Sequence, residues 1–451
     1  MSKANEFDVC VVGAGPAGTA TALRLAQLGK RVAVCEALAF PRARVGESIP
    51  ASIATLLGVL GLDAAIATTG TLPSRFSTVA WAGETTRYEI HGGPSHIVDR
   101  ATFDLALLQA ATANANLSVY QPARVVRATH DAARWSITLE GGETIAAAFL
   151  VEATGRDRLL PRHRKPLGVK TLAWYGYYEV GAQSESDTLV ESAHDSWYWG
   201  AALPNRLFNA TVFVDPGHRL DYPAAVARSA LLRPRLSGAR LVRGPTVCDA
   251  TPYVEEHPAT TTSLKVGDAA LSLDPLSSQG VYTALGTALH AAVTVNTLLD
   301  HPQDAALAIE FYEHRVRSSG RFHARAASQF YAREALSSRT AFWERRARFL
   351  PSSLPKDPLS PQAIVVASPR VVYVPVPVVE DARITTCDGL RLSDRTYAFV
   401  AGDVPIAPLL KQLATPLRAL DVLQLWSRRL APAKALEALQ WAWAEGLLIS
   451  K

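Results

Sequence analysis

Cysteine is sparse in this chain, with four residues in 451: Cys10, Cys35, Cys248 and Cys387. No two stand at a metal-ligand spacing and no Cys-x-x-Cys pair occurs, so neither a metal site nor a disulfide scaffold is expected. Cys10 and Cys35 fall inside apolar stretches, where a small buried thiol needs no further role. Lysine is scarce as well, and the basic residues are mostly arginine. No apolar run is long enough to span a bilayer. The N-terminus is short and polar and a strand begins almost at once, so no signal peptide is expected and the protein is placed in the cytoplasm, with no membrane partner. Charge of one sign is in small excess only: 46 Lys and Arg against 41 Asp and Glu give +5. No nucleic-acid fold signature accompanies it, which argues against a nucleic-acid partner. What is plentiful is apolar residue, 48% against 19% charged, over a length that suggests two or three domains.

Phe7–Val12 reads as a buried strand, Gly15–Leu28 as a helix and Arg31–Cys35 as a second strand. A helix is expected over Ser48–Leu60, strands around Thr78–Ala82 and Thr86–Ile90, and a helix over Arg100–Ala113. Short strands follow near Val125, Trp135, Thr144 and Leu150. From Lys170 to Val214 the chain turns β-branched and aromatic, which suggests an antiparallel sheet. Leu264–Ala270 returns to the earlier α/β pattern, and helices fill Gln279–Asp300 and Ala305–Leu350. The Pro/Ser-rich stretch from Leu350 to Pro361 is the clearest linker. The fold class is α/β. A doubly wound nucleotide-binding domain is expected from 1–75, 96–165 and 262–350, and an inserted antiparallel β substrate domain from 76–95 and 166–261. A small C-terminal winged-helix-like domain is expected over 362–451.

The strongest motif is Gly13-Ala-Gly15-Pro-Ala17-Gly18, a G-x-G-x-x-G sequence that follows a strand and opens a helix. Gly13 permits the tight turn, Gly15 lets backbone approach a pyrophosphate, and Gly18 lets helix and strand pack closely. The free amides and dipole of the helix N-terminus then hold the anion. Glu36 ends the second strand, placed to accept hydrogen bonds from an adenosine ribose. This motif by itself leaves FAD and NAD open.

Later segments separate the two cofactors, and here a family resemblance begins. Arg44-Val-Gly46-Glu47-Ser48-Ile-Pro50 resembles the segment after the second strand in flavin-dependent halogenases and related monooxygenases. The resemblance implies that Arg44 lies near the flavin, with Gly46 and Glu47 in the loop beside the isoalloxazine. Glu152-Ala-Thr154-Gly155-Arg156 is similar to the family's second nucleotide contact. Gly267-Asp268, followed by Asp274-Pro275-Leu-Ser-Ser-Gln279-Gly280-Val281, resembles its strand–loop–helix closing on FAD. Asp268 would bind hydroxyls of the ribityl or pyrophosphate side, and the helix starting near Gln279 would direct its dipole at the flavin pyrimidine ring. Arg100 and Val125 complete the implied FAD set. The resemblance covers roughly residues 1–350.

Two departures bear on the reaction. The halogenase W-x-W-x-I-P signature is matched only loosely by Trp197-Tyr198-Trp199-Gly-Ala-Ala-Leu203-Pro204. The family's halogen-carrying lysine has no counterpart, because no lysine occurs between Arg31 and Arg100. An arginine cannot replace it, being neither compact nor easily deprotonated. The implied chemistry is therefore monooxygenation by FAD and O2 through a C4a-hydroperoxide. Electrons would come from NAD(P)H or from a separate flavin reductase. Small-molecule hydroxylation, halogenation, a non-catalytic assembly role and reduction of isoprenoid double bonds are the alternatives.

Trp174, Tyr177, Trp197 and Trp199 are candidates for lining a pocket over the flavin; a sheet core is the competing reading. No catalytic residue is assigned. Arginines from Arg315 to Arg348 crowd the helices before the linker, either as a solvated face or as a dock for an acidic protein. The overall layout resembles the flavin monooxygenases that mature quinohemoprotein amine dehydrogenase. That implies a protein substrate whose tryptophan is hydroxylated on the way to cysteine tryptophylquinone.

Overall fold

The computed structural model describes residues 6–64, 69–131, 133–183, 186–217, 219–349, 358–393, 395–400 and 404–451. The chain divides into two compact units. The first holds residues 1–300 and 312–352, the second 301–311 and 353–451. Most of the expected linker, 350–357, lies outside the described residues.

The first unit begins with β1 (Glu6–Val12), α1 (Pro16–Gln27) and β2 (Val32–Cys35), then α2 (Arg100–Thr112) and β3 (Thr144–Glu152). β2 and the second half of β1, Val9–Val12, are continuous apolar runs because both faces of the sheet are covered there; Val9, Cys10, Val11, Val32, Ala33 and Val34 are fully buried. Strands Leu117–Tyr120, β2, β1 and β3 run parallel in that order, and Ser263–Lys265 pairs parallel with the end of β3. The start of β3 pairs instead with the antiparallel strands Trp135–Leu139 and Val125–His130. Pro16 stands at the start of α1, where a missing N–H costs nothing. α1 is made of small residues and is buried nearly all round.

A second, seven-stranded sheet contains β4 (Leu172–Glu179), β5 (Thr188–Ser192), β6 (Trp197–Ala202), β7 (Leu207–Val214) and β8 (Arg240–Asp249). Its order is β8, β4, β7, β6, β5, then the hairpin Phe76–Trp81/Glu84–Glu89. Against the expectation of an antiparallel sheet, the hairpin joins β5 in parallel. Helices α3 (Gly280–Asp300), α4 (Ala305–Ser338) and α5 (Ala341–Arg348) follow. The single long helix expected before the linker is broken at Arg339, which has a positive φ of 51°. The helix expected over Ser48–Leu60 starts at Ile53, and Ser48–Ile49 is a short strand. Pro50 ends that strand, since its ring supplies no N–H to a ladder.

The second unit is built on β9 (Ile364–Ala367), which pairs antiparallel with both Leu417–Arg418 and Leu448–Ser450. Helices α6 (Ile406–Leu410), α7 (Ala419–Ser427) and α8 (Pro432–Ala444) bury Leu410, Trp426, Ala438 and Ala442 against it. A hairpin of Val372–Glu380 and Arg383–Leu392 turns through Asp381 and Ala382, both at positive φ. The two short strands flank α7 and α8, and their common partner β9 comes from the start of the unit. Asp304, in the 301–311 segment, pairs with Arg383 at 2.6 Å.

Candidate functional site

The C-terminal ends of β1, β2 and β3 are level, with Val12 opposite both Cys35 and Glu152. The Gly13 N–H donates to the Cys35 carbonyl at 2.8 Å, and the Ala153 N–H to the Val12 carbonyl at 2.8 Å. The Val266 N–H donates to the Glu152 carbonyl at 3.0 Å. Four segments far apart in sequence thus meet at one sheet edge: the glycine turn, Glu36, Thr154-Gly155 and Gly267-Asp268. Open α/β sheets form their ligand crevice at such an edge.

The glycines there are fixed by close approach. Gly13 has φ +106°, and a Cβ on it would stand 2.3 Å from the Ala153 carbonyl oxygen. A Cβ on Gly18 would stand 1.9 Å from the Gly13 carbonyl oxygen. Gly15 differs, since a Cβ there would meet only the Arg42 guanidinium, at 3.6 Å. The space over the first turn of α1 is otherwise open.

A chain of buried charges frames that space. Glu36 accepts the Ala14 N–H at 2.8 Å and the Leu38 N–H at 3.0 Å, and lies 3.5 Å from Arg42. Arg42 in turn lies 3.4 Å from Asp104, which takes Arg100 in a two-point bond at 2.9 and 3.2 Å. Arg100 also donates to the Val45 and Gly46 carbonyls. Burial pulls the Arg42 pKa down, while Glu36 and Asp104 oppose the fall. Its Nε is buried and unpartnered. Arg44, expected near the flavin, is exposed and close enough to Asp268 for its charge to act on that carboxylate. The buried cation over the glycine turn is Arg42. Pro-Arg-Ala-Arg offers two arginines, and nothing in the spacing tells which turns inward.

Asp268 lies in a 3-10 turn, Gly267–Ala269, and its carbonyl accepts the Tyr253 hydroxyl at 2.7 Å. Its carboxylate has no hydrogen bond among the described residues. Burial raises its pKa, against the pull of Arg156, Arg100, Arg164 and Arg44. Pro275 opens the 3-10 turn Pro275–Ser277, and Gln279 leads into α3, whose first residue is Gly280. No acidic side chain occupies the first turn of α3, and Val281 is buried behind it. Thr154 donates to Glu152 at 3.0 Å, and Gly155 takes φ +67°. Val125 packs on the core at the edge strand beside Ala123, whose N–H donates to the Glu36 carbonyl.

These residues fit FAD. A buried guanidinium with an unpartnered Nε and open space over Gly15 suit a pyrophosphate. An unpaired carboxylate at Asp268 suits hydroxyl donors, and a bare helix start at Gly280 suits developing negative charge. Hydroxyl donors favour the ionised form of Asp268, so binding lowers a pKa that is raised in the free protein. FAD affinity is then full above that raised value and falls as pH drops through it. In Asp268→Asn this part of the pH dependence vanishes and affinity falls roughly tenfold. Fluorescence titrations with FAD over a pH series read both.

Glu47 belongs to a second cluster. It is 1% exposed and accepts the Tyr177 hydroxyl at 2.7 Å, the Asn209 amide at 3.1 Å and the Gly46 N–H at 2.9 Å. Thr211 donates to the Asn209 side chain at 2.8 Å, and Arg243 lies 3.7 Å over the Tyr177 ring. Burial, then the Glu47 charge, hold the Tyr177 phenol far above its usual value, so it remains a donor.

Register decides the tryptophans. Residues alternate between sheet faces, and Tyr177 and Asn209 are paired across β4 and β7, as are Trp199 and Thr211 across β6 and β7. Trp199 and Tyr177 therefore share the Glu47 face. Trp174 points to the other face, with Tyr178 and Tyr198, under the helical turns 222–235; it is withdrawn as a pocket residue. Trp197 is on the Glu47 face but wholly buried, stacked on Phe213 at 3.7 Å beside Trp81 and Trp343. It is a core residue and is likewise withdrawn.

A family model described as an FAD binding domain matches residues 6–211. The chain is 27% identical to a tryptophan 2-halogenase of Chondromyces crocatus, over 76% of this chain and 71% of that protein. It is also 27% identical to LodB, named as an FAD-dependent oxidoreductase, of Marinomonas mediterranea, over 76% of this chain and 97% of that one. Among solved structures it resembles QhpG, a peptidyl tryptophan dihydroxylase essential for tryptophylquinone cofactor biogenesis. The TM-score is 0.73 at 27% identity, covering 98% of this chain and 99% of that one. The flavin-dependent halogenase CmlS shares the fold at TM-score 0.82 and 21% identity, covering 99% and 96%. No helix of the described residues is long and apolar enough to cross a membrane. Motif geometry, matched sequence and shared fold agree: the chain is an FAD-dependent oxidoreductase that resembles the flavin-dependent halogenases and the dihydroxylase QhpG.

Proposed function

We propose that this enzyme inserts oxygen into an electron-rich aromatic ring, a tryptophan side chain of a protein, during biogenesis of a tryptophylquinone cofactor in the cytoplasm. One observation carries the choice of oxygen over halogen. The segment from Arg31 to Arg100, which includes Glu47, has no lysine, and neither has the sheet from Leu172 to Val214. The Glu47 face offers a carboxylate, a phenol, an amide and a hydroxyl, and no ammonium. The protein substrate is supported by the likeness to QhpG over nearly the whole of both chains. The second unit does not decide the matter, since CmlS is matched over a similar length.

Reduced FAD supplies activated oxygen from O2, with electrons from NAD(P)H or a flavin reductase. Arg42, Gly15 and Asp268 hold the cofactor in this reading. Glu47 fixes Tyr177 and Asn209 as oriented donors, and Trp199 offers a flat wall to the ring. The test is incubation with reductant, ¹⁸O2 and excess bromide, followed by mass spectrometry. The substrates are a tryptophan-bearing protein precursor and free tryptophan. The expected product gains ¹⁸O and no halogen, on the protein and not on the free amino acid. A brominated product returns the enzyme to the halogenases.

A further inference from the structure

Helix α4 carries a face that the flavin chemistry does not use. In its first half charges are paired, as where Arg317 meets Glu313 at 3.3 Å. From Ser318 to Ser338 the pattern changes. The only acidic residue in that stretch is Glu334, which is 3% exposed and accepts the Ala82 N–H. Two arginines, Arg325 and Arg333, are exposed there with no exposed carboxylate on the same stretch. Large apolar side chains stand among them: Phe322 is 68% exposed, Leu336 79% and Phe330 43%.

Helical spacing puts these residues in order. Phe322, Arg325, Gln329, Arg333 and Leu336 follow one another at intervals of three and four, which aligns them along one side of the helix over about 21 Å. A solvated helix face normally mixes both charge signs and keeps large apolar groups singly. This one has a single sign of charge, with apolar groups between the charges. A membrane or nucleic acid asks for a broader basic surface. A line of alternating cations and apolar groups matches the side-chain repeat of a peptide.

We propose that this stripe docks an acidic amphipathic segment of a polypeptide, whose carboxylates meet Arg325 and Arg333 and whose apolar residues cover Phe322 and Leu336. The inference rests on the reading that the substrate is a protein, and it adds the chemistry by which that protein is held. Docking outside the pocket raises the local concentration of the target side chain without a new contact at the flavin. Charge complementarity of this kind speeds encounter and weakens with salt.

The test uses the full chain with FAD bound and a labelled synthetic peptide of about 20 residues, with Glu and Leu at helical spacing and one tryptophan. Binding is read by fluorescence anisotropy. The peptide is expected to bind, and to bind at least about tenfold more weakly to the double variant R325E/R333E and to F322S/L336S. The double glutamine variant R325Q/R333Q should lie between, and a Lys/Leu peptide should not bind. An unaltered flavin spectrum in each variant shows that it is folded. Failure of the peptide to bind, or equal binding by all variants, overturns the proposal. So does binding of phosphatidylserine vesicles with the same residue dependence and no peptide binding. Oxygen incorporation into the peptide tryptophan separates this inference from the reading beneath it. Residue-dependent binding without oxygen transfer keeps the dock and removes the protein-substrate reading. Equal oxygen transfer by wild type and variants does the reverse.

Discussion

Gly15→Trp yields a folded protein that purifies without FAD. A Cβ at this position has room, since its nearest neighbour is the Arg42 guanidinium at 3.6 Å, so the backbone need not move. The indole then occupies the space over the free amides of α1, where an anion would sit. Loss of affinity by more than about a hundredfold, roughly 3 kcal/mol, is expected. Gly18→Val is the contrasting variant. Its Cβ would stand 1.9 Å from the Gly13 carbonyl, so α1 must leave β1 and the fold itself suffers. Circular dichroism and bound-flavin absorbance distinguish the two: Gly15→Trp keeps the first and loses the second, and Gly18→Val loses both. If Gly15→Trp retains FAD, the phosphate position proposed over Gly15 is wrong.

Glu47→Leu is expected to damage the enzyme more than loss of one charge would suggest. It leaves the Tyr177 hydroxyl and the Asn209 amide buried without their acceptor. Each stranded donor costs on the order of 1–3 kcal/mol, and together they amount to a large part of ordinary domain stability. The bond from Glu47 also joins the 44–50 loop to the seven-stranded sheet, so the loop is released as well. Glu47→Gln keeps the shape and one acceptor, and should retain most of the stability. In that variant oxygen uptake is expected to outrun product, because Tyr177 and Asn209 are no longer held by a carboxylate. Denaturant unfolding reads the first effect, and the ratio of O2 consumed to product the second. Tight coupling in Glu47→Gln would remove the positioning role and leave a structural one.

Much of the nucleotide-binding architecture was legible because its signals are local. A glycine turn between an apolar run and a helix, with an acid at the end of the next strand, is dictated by backbone approach and needs no distant partner. The side-chain detail was not legible. Arg42 and Arg44 have the same chemistry two residues apart, and it is Glu36 together with Asp104, 62 residues on, that pairs with the buried one. The tryptophans show the same limit. Alternation within β6 separates Trp197 and Trp199 from Tyr198, but it cannot say which face of the sheet meets Glu47. Nor could it foresee that Phe213 would stack on Trp197 and take it into the core. The parallel joining of the Phe76–Trp81 hairpin to β5 spans more than a hundred residues and leaves no local mark.

The pairing of β3 with Ser263–Lys265 has a consequence for how the protein is made. The glycine turn leaves the ribosome first, and Asp268 and the start of α3 are translated 250 and 262 residues after Gly18, an interval of roughly ten seconds to a minute. The whole aromatic sheet is synthesised in between. Until the strand at 263–265 arrives, the end of β3 has an unpaired edge and the crevice lacks one wall. Nascent chains stalled before that strand should therefore hold no flavin, however complete their first βαβ unit. Those released beyond α3 should acquire it in one step, which makes cofactor capture a late checkpoint of translation.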